Sequence, residues 1–164
     1  MCAAESASMP KAVAHGIEDL RALKDQTVGP SEWREVTQEM VDRFAELTGD
    51  HQWIHTDVER AKRESPFGGT IAHGNLTLSL IDGMRKDLNE WTGFKMGVNY
   101  GWNKVRFPAP VPVGARIRCF AQVVEIDDVG GGWHQVVTRF TVERDGGEKP
   151  VCVADSVGRL LVDA

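Results

Sequence analysis

The spacing of apolar residues predicts a helical first half of the chain and a strand-rich second half. From Val36 to Leu47, apolar side chains recur every three or four residues, which indicates an amphipathic helix. Thr37 suits its N-cap, and Gly49 suits the position after its last turn. A shorter helix is predicted over residues 58–63 with Asp57 as its cap. Both helices precede the most apolar segment of the chain.

Residues 74–85, GNLTLSLIDGMR, form that segment and read as a third helix. Leu76, Leu80, Ile81 and Met84 would share one face, with Leu78 beside them. A helix that is apolar over so much of its circumference is usually buried. We therefore expect this helix to lie at the centre of the fold.

Further along the chain the apolar period changes from about four to two, which is typical of strands. Strands are predicted over Asn99–Phe107, around two alternating segments, and over Val151–Val162. The inward-facing positions of the alternating segments are Ile117, Cys119, Ala121, Val123, Val136, Thr138, Phe140 and Val142. Turns are predicted at Gly130–Gly132 and Asp145–Gly147, and the prolines of Pro108–Pro112 exclude that segment from a central ladder. The pattern predicts an α+β fold, with one buried helix against a curved antiparallel sheet.

A chain of 164 residues suits one domain, which we place at residues 31–164 after a partly flexible N-terminal arm over residues 1–30. The formal charge of −5 argues against a nucleic-acid partner, and no apolar run approaches the length of a membrane span. The three cysteines, Cys2, Cys119 and Cys152, include no short-spaced pair. We expect reduced thiols and a cytoplasmic protein.

The segment Thr48–Asp57, TGDHQWIHTD, holds the densest group of titratable residues. Asp50 and His55 are predicted to lie on a loop that can aim both side chains at one point. A carboxylate and an imidazole that share a site can divide proton transfer between them. The alternative is that Asp50 only caps the turn at Thr48–Gly49 and that His55 is a surface residue.

His51 and His55 are four residues apart, a spacing that resembles the H-E-x-x-H motif of zinc proteases. Gln52 stands where that motif has its general-base glutamate, and it cannot ionise. Gly49-Asp50 also breaks the helix that would carry both ligands. No metal site is predicted.

A second candidate segment, Ile71–Asn75, leads into the apolar helix. Free N–H groups at a helix N-terminus stabilise an anion or a developing oxyanion, and Gly74 would let a ligand approach them. The alternative is that Gly74 only permits close packing and that His73 caps the turn. Ser79 is read as a small residue packed against the sheet, with a polar role in the site as the other option. Asp82 is read as solvated or capping.

Several basic residues could meet the phosphates of an anionic ligand, and the sequence alone does not choose among them. They fall into three groups: Lys104 with Arg106; Arg116 with Arg118; and Arg60, Lys62 and Arg63.

Two segments together resemble the MaoC-like (R)-specific enoyl-CoA hydratases: Leu47–His55, LTGDHQWIH, and Ala72–Gly74, AHG. The stretch Asn103–Gly114, NKVRFPAPVPVG, resembles the NodN-like branch of that family in particular. The family pattern is G-D-x-N-P-x-H, and the chain departs from it at Gln52 and Trp53. The resemblance covers about residues 31–162.

The resemblance implies a hot-dog fold, a long helix wrapped by an antiparallel sheet, and addition of water to a trans-2-enoyl-CoA to give the (R)-3-hydroxyacyl-CoA. It implies that Asp50 and His55 are the acid–base pair, without assigning which is which, and that Gly74 N–H holds the thioester oxygen. No cofactor is implied. The further residues predicted to contact substrate are Gln52, His73, Ser79 and Asn103.

Two other functions stay open at this point. A hot-dog thioesterase could use Asp82 as its helix-borne carboxylate, but the Asp50–His55 segment would then have no role. A non-catalytic acyl-thioester-binding module could share the same scaffold.

The resemblance also implies a homodimer, in which two sheets join edge to edge. Val98, Tyr100 and Trp102 favour the same arrangement, because their strand is rich in aromatic residues for an exposed edge. The alternative is that these aromatic residues belong to the core of a monomer.

Overall fold

The computed structural model describes residues 10–162. The helices are α1 (Gly16–Ala22), α2 (Gln38–Thr48), α3 (Trp53–Thr56), α4 (Val58–Glu64) and α5 (Gly74–Leu88). The strands are β1 (Ala12–His15), β2 (Thr27–Val28), β3 (Arg34–Glu35), β4 (Asn89–Thr92), β5 (Phe94–Arg106), β6 (Arg116–Asp128), β7 (Trp133–Arg144) and β8 (Cys152–Val162).

The main sheet is antiparallel, with the strand order β2-β6-β7-β8-β5 and with β3 also paired to β6. A separate two-stranded parallel pair joins β1 to β4. β5 is the outer strand on one side of the main sheet, so its far edge meets no other described strand.

α5 is the long central helix, and it packs against the sheet as the sequence predicts. Leu76, Ile81, Met84 and Leu88 are buried in the main core with the inward side chains of β6, β7 and β8. Each such side chain stabilises the fold by roughly 1.5–3 kcal/mol relative to an exposed one. The helix begins at Gly74 and continues three residues beyond its predicted end at residue 85. The predicted α+β arrangement is confirmed.

The predicted helix ends are also confirmed. Thr37 Oγ1 accepts a hydrogen bond from Met40 N at 3.3 Å, and Asp57 Oδ1 accepts one from Arg60 N at 2.9 Å. Gly49 ends α2 with φ 78°, a left-handed conformation that glycine adopts without steric cost.

The alternation predicted for β6 and β7 is confirmed, since all eight side chains expected to point inward are buried. β5 is longer than predicted, because it begins at Phe94 instead of Asn99. Its early residues have weak apolar alternation, and three register shifts interrupt its pairing with β8. Because of these irregularities, a period-two pattern does not reveal the first part of the strand.

The first thirty residues are only partly described. β1, α1 and β2 lie within them, and Ala14 and Leu20 are buried in a second core cluster. Residues 1–9 of the predicted flexible arm lie outside the described residues. The boundary at residue 30 stays a prediction, although β2 already pairs with β6.

Cys119 and Cys152 are both free and buried, while Cys2 lies outside the described residues. Burial raises the pKa of the Cys152 thiol to about 11. Burial, with a smaller contribution from Cys152, also raises the pKa of Cys119 well above its ordinary value. Both thiols therefore stay protonated at neutral pH. Within residues 10–162, no helix is both long and apolar enough to cross a membrane.

Candidate active site

Asp50 and His55 lie close together, but on different kinds of structure. Asp50 is exposed and follows the end of α2 in an irregular segment. His55 lies on α3, a single helical turn, and only 7% of it is exposed. The expectation that both lie on a loop is therefore wrong for His55, and so is the alternative that His55 is a surface residue. A four-residue helix is too short to leave a periodic signal in the sequence.

The imidazole of His55 is held in one tautomer. Its Nδ1 lies 2.7 Å from the carbonyl oxygen of Ile71, and a carbonyl can only accept, so Nδ1 carries the proton. Nε2 is then the free basic nitrogen. Burial lowers the pKa of His55, and nearby His73 lowers it further, while the Ile71 carbonyl and Asp50 act in the opposite direction. The net shift is downward, so the neutral ring predominates at pH 7.

A short extended segment, residues 70–72, connects this histidine to the rest of the fold. Ile71 N donates to Ile54 O at 3.0 Å, which ties the segment to α3. On its other side, Ala72 N donates to Val111 O at 2.8 Å, and Ile71 forms an isolated bridge with Pro112. The proline-rich segment thus lies outside the main ladder, as predicted. Its backbone contacts hold the segment 70–72, which in turn binds the ring of His55.

Gln38 fixes the position of α3 from the side of α2. Its Nε2 donates to the carbonyl oxygen of His55 at 2.8 Å and to Asp42 Oδ1 at the same distance. Its Oε1 accepts from Thr70 Oγ1 at 2.7 Å. The sequence does not reveal this role of Gln38, because a polar residue in the first turn of a helix looks like an ordinary solvated position.

His73 is almost fully buried, with 3% of it exposed, and stands at the N-cap of α5 without capping it. Its Nε2 donates instead to the carbonyl oxygen of Asp50, at 3.0 Å. The His73 ring stacks on that of His55, with 3.9 Å between centroids and 30° between planes. The alternative that His73 caps the turn is therefore wrong.

The N-terminus of α5 opens onto this cluster at Gly74. Because the His73 side chain does not cap it, the first-turn N–H groups keep their capacity to bind an oxygen. A Cβ at position 74 would lie 2.8 Å from two ring carbons of Phe107. Gly74 therefore permits close packing and also leaves its backbone accessible, so both readings of this residue stay compatible with the structure.

An apolar pocket of about 300 Å³ lies over His55 and Gly74. Its walls are mainly apolar and include Phe67, Phe107, residues 108–111 and Val151. Thr77, one turn into α5, is buried and also lines the pocket, while its hydroxyl donates to the carbonyl oxygen of His73. A smaller cavity of about 160 Å³ lies near Arg85 and Trp91 and contains none of the histidines of the cluster.

Asp50, His55 and His73 each offer one metal-binding atom, and these atoms lie within 4.8 Å of one another. A metal must lie in the plane of every imidazole that binds it. The two rings are stacked only 3.9 Å apart, so their planes do not meet at the roughly 2.0–2.1 Å bond length that zinc requires. The arrangement therefore fits proton transfer better than metal binding.

None of the four residues predicted to contact substrate, Gln52, His73, Ser79 and Asn103, lines this pocket. Gln52 and Asn103 are exposed, as is Ser79, whose hydroxyl donates to Asn75 O at 2.8 Å. Ser79 is thus not packed against the sheet. Asp82 is also exposed and lies 3.7 Å from Arg85, which fits its reading as a solvated residue.

The structure separates the three basic groups. Arg116 and Arg118 pair with Asp145 and Glu143, and the α4 group pairs with Glu59 and Glu64. Lys104 and Arg106 are exposed and form no ion pair with any residue in the range 10–162. Phe107 directly follows them and reaches the pocket.

The sequence analysis did not single out Phe67, Phe107 or Thr77. A residue at a strand end or beside a glycine turn has no periodic signal that distinguishes a pocket wall from a solvated position. Thr77 could have been found, because it lies three residues after Gly74 and thus on nearly the same face of α5.

Comparisons with known proteins agree with this architecture. Residues 19–144 match the model of the MaoC like domain. The chain is 50% identical over 145 residues to 3-hydroxyacyl-thioester dehydratase Z of Mycobacterium tuberculosis, covering 88% of this chain and 95% of the relative. It is 41% identical to nodulation protein N of Rhizobium leguminosarum bv. viciae, covering 90% of this chain and 92% of that one.

Among solved structures, the monoamine oxidase regulatory protein from Archaeoglobus fulgius aligns with a TM-score of 0.74 at 31% identity. The alignment covers 86% of this chain and 92% of that chain. The hot-dog fold implied by the sequence resemblance is confirmed. With a matching family model over most of its length and a half-identical relative, the chain belongs to the MaoC-like domain family.

Proposed function

We propose that this protein is a hydro-lyase that adds water to trans-2-enoyl-CoA, giving (R)-3-hydroxyacyl-CoA, and that also catalyses the reverse dehydration. One observation carries the proposal. The buried, neutral imidazole of His55, whose Nε2 is free, lines an apolar pocket together with Gly74 at the uncapped N-terminus of α5, and one of its ring nitrogens lies within 4.8 Å of a carboxylate oxygen of Asp50. Hydration of an α,β-unsaturated thioester needs these three parts: a base, a group that orients water, and an oxyanion site for the enolate that forms.

His55 is the base in this scheme, because its Nε2 is unprotonated at neutral pH. It takes a proton from water as the water oxygen bonds to the β-carbon of the substrate. The Asp50 carboxylate orients the same water and stabilises the imidazolium that forms. The imidazolium then returns the proton to the α-carbon from the same side, so water adds across one face and His55 regains its starting state.

The role of Gly74 N–H in this scheme is to stabilise the negative charge that develops on the thioester oxygen. As the water oxygen attacks, the electrons of the double bond move onto the thioester oxygen and form an enolate. A preorganised N–H donor at a helix N-terminus stabilises that charge more strongly than it stabilises the neutral substrate. The carbonyl oxygen is therefore expected to bind at Gly74 while the β-carbon faces His55.

The walls of the pocket support an acyl thioester as the ligand. Phe67, Val111 and Val151 offer apolar surface for a hydrocarbon chain. Of the three basic groups named above, only Lys104 with Arg106 forms no ion pair within residues 10–162, and these two side chains are proposed to meet the CoA phosphates. The name of the mycobacterial relative, a 3-hydroxyacyl-thioester dehydratase, describes the reverse of the proposed reaction and supports the assignment.

The thioesterase alternative lacks support in the structure, because its proposed carboxylate Asp82 is solvated and lies outside the pocket. A passive binding module would have no need for an imidazole held in one tautomer with its basic nitrogen free. Both alternatives give distinct results in the assay that tests the proposal.

The assay follows trans-2-enoyl-CoA substrates of increasing chain length, with chromatographic separation of 3-hydroxyacyl-CoA enantiomers and with a thiol reagent for free CoA. We expect (R)-3-hydroxyacyl-CoA and no free CoA. An (S) product or release of free CoA would contradict the proposal, as would binding without turnover. Replacing Lys104 and Arg106 with alanine should raise KM, whereas Lys86→Ala, near the opposite end of α5, serves as the matched control.

A homodimer is the proposed working unit. β5 forms an edge of the sheet, and Val98 and Tyr100 on it are 41% and 60% exposed. Trp102 packs against the main core instead. For this residue the structure favours the alternative, that it belongs to the core of one chain. An exposed edge strand with apolar side chains favours pairing with a second copy, in which each chain contributes the same surface.

We also infer that the protein works in the cytoplasm. Cys119 and Cys152 are free thiols, as expected for a reducing compartment, although their burial alone protects them from oxidation. Fractionation of cells that express the full chain, followed by immunodetection, tests this inference. Recovery from the membrane or secreted fraction would contradict it.

A further inference from the structure

We propose that His73 is a positioning residue, which holds both Asp50 and His55 in place for the reaction while contacting neither water nor substrate. The inference rests on the proposed hydration and adds a role for a residue outside the reacting groups. Three kinds of evidence support it: a hydrogen bond to the Asp50 backbone, a stacked contact with the His55 ring, and burial away from the pocket.

The hydrogen bond fixes a segment that has few other restraints. Among the described residues, the other polar contacts of Asp50 are long, at 3.4 Å from its N–H to Thr48 Oγ1 and 3.4 Å from Gln52 N to its Oδ1. The bond from His73 Nε2 to Asp50 O is 3.0 Å and bridges 23 residues. It connects an exposed segment to the first turn of the central helix.

His73 is itself firmly anchored at that turn. Its carbonyl oxygen accepts from Thr77 N at 3.1 Å and from Thr77 Oγ1 at 3.3 Å. The ring also contacts Phe44 of α2, with 5.0 Å between ring centroids. The backbone of His73 is thus held by α5 and its ring is packed against α2, so the ring is supported from two helices.

The stacked contact restrains the catalytic ring. The bond from His55 Nδ1 to Ile71 O fixes one point of the imidazole but allows it to tilt about that bond. The His73 ring, at 3.9 Å, covers one face of the imidazole and limits that tilt. The direction of Nε2 toward the substrate is thereby defined by a hydrogen bond and a packed surface together.

The remaining geometry argues against direct contact of His73 with the substrate. His73 is 3% exposed and is absent from the pocket lining, whereas His55 and Gly74 both line it. The proton on Nε2 is committed to Asp50 O, and the buried Nδ1 has no partner among the described residues. These observations favour a positioning role for His73 over the substrate contact that the sequence predicts for it.

Three substitutions separate the two contacts. His73→Gln keeps an N–H donor near the position of Nε2 but removes the ring, His73→Phe keeps the ring but removes the donor, and His73→Ala removes both. We expect kcat to fall about 10-fold for Gln and for Phe and about 100-fold for Ala, since a small misplacement of reacting groups has effects of this order. KM should change little. His51→Ala, an exposed residue of the same segment, is the control and should retain normal kcat.

Each variant is first checked for folding by thermal unfolding and circular dichroism. A folded His73→Ala variant with normal kcat would overturn the proposal. An effect confined to KM would overturn it as well, because that result would indicate a substrate contact. Loss of kcat in all three folded variants, with partial retention in the Gln and Phe forms, would support it.

A second measurement is independent of activity. Imidazole ¹⁵N chemical shifts of the intact wild-type protein at pH 7 should show the His73 tautomer that carries a proton on Nε2. A proton on Nδ1 alone would overturn the proposal, because Nε2 could not then donate to Asp50. If the wild type fails to hydrate enoyl-CoA but shows this tautomer and normal folding, the proposed function fails while the bond to Asp50 stands.

Discussion

At the scale of single residues, the two members of the proposed acid–base pair are held in different ways. His55 is buried, has its tautomer set by Ile71, and is supported by Gln38 through its backbone. Asp50 is exposed and is held mainly through its backbone carbonyl. Substitution at His55 therefore affects the folded structure more than substitution at Asp50.

Replacing the acid–base pair tests the roles of both residues. Asp50→Asn and His55→Gln should each lower kcat by about 10²–10⁴-fold, the usual effect of losing an acid–base group. We expect Asp50→Asn to unfold at nearly the wild-type temperature and His55→Gln to unfold somewhat lower, because it disturbs a buried hydrogen bond. Near-normal turnover in either folded variant would refute the assignment.

The pH dependence of the wild type follows from the lowered pKa of His55. The neutral ring is the active base, so kcat/KM should be low in acid and rise as pH increases through the pKa of His55. Because burial and His73 shift that pKa below 6.5, the rise should be centred below pH 6.5, with a plateau at neutral pH. Initial rates from pH 4.5 to 8 measure it, and a midpoint above 6.5 would contradict the proposed role of burial.

At the scale of secondary structure, the long periodic elements and their caps could be predicted, and the short ones could not. The apolar patterns of α5, α2, β6 and β7 extend over enough residues that a few irregular positions do not obscure them. α3 carries His55 on four residues, and the segment 70–72 that holds its ring is a single bridge. Tertiary hydrogen bonds define these pieces, so no local pattern predicts them.

The proposed role of the N-terminus of α5 as the oxyanion site can be tested directly by substitution. Gly74→Ala should leave the helix intact, since alanine favours helices, but the new methyl group would push the Phe107 ring away and crowd the oxyanion site. We expect kcat/KM to fall about 10–100-fold, at or below the effect of losing one oxyanion donor. Steady-state kinetics on one enoyl-CoA substrate measure this effect.

Gly69→Ala is the matched control, because a Cβ at that position meets nothing within 4 Å. Combining Gly74→Ala with Phe107→Ala removes the obstructing ring and should recover part of the lost kcat/KM. If Gly74→Ala has the same kcat/KM as the wild type, this part of the account is wrong.

At the scale of the whole molecule, the sequence predicted the fold class because the number and order of long elements restrict the possible packing. A buried helix followed by strands of alternating pattern is compatible with few folds, and the family resemblance implied one of these, the hot-dog fold. The meeting of Phe107, Phe67 and Thr77 at one pocket depends on loops and register shifts, which no single segment encodes. The residues that form the walls of the pocket therefore could not be predicted from the sequence.

The proposed dimer is tested by its mass and by a substitution on the exposed edge. Wild-type protein should sediment as a dimer at micromolar concentration, and Val98→Arg should shift it toward the 18.1 kDa monomer by placing charge on the edge strand. Val13→Arg, at an exposed apolar residue of β1, is the control and should stay dimeric. A monomeric wild type with full activity would refute the proposed working unit.

The measurement closest to the central claim is hydration in ²H₂O with the configuration of the product determined at both new centres. If His55 takes a proton from water and returns it from the same side, one deuterium should be incorporated at the α-carbon. It should lie on the same face as the new hydroxyl, with the (R) configuration at the β-carbon. Deuterium on the opposite face, or scrambled between faces, would contradict a single acid–base cluster acting from one side.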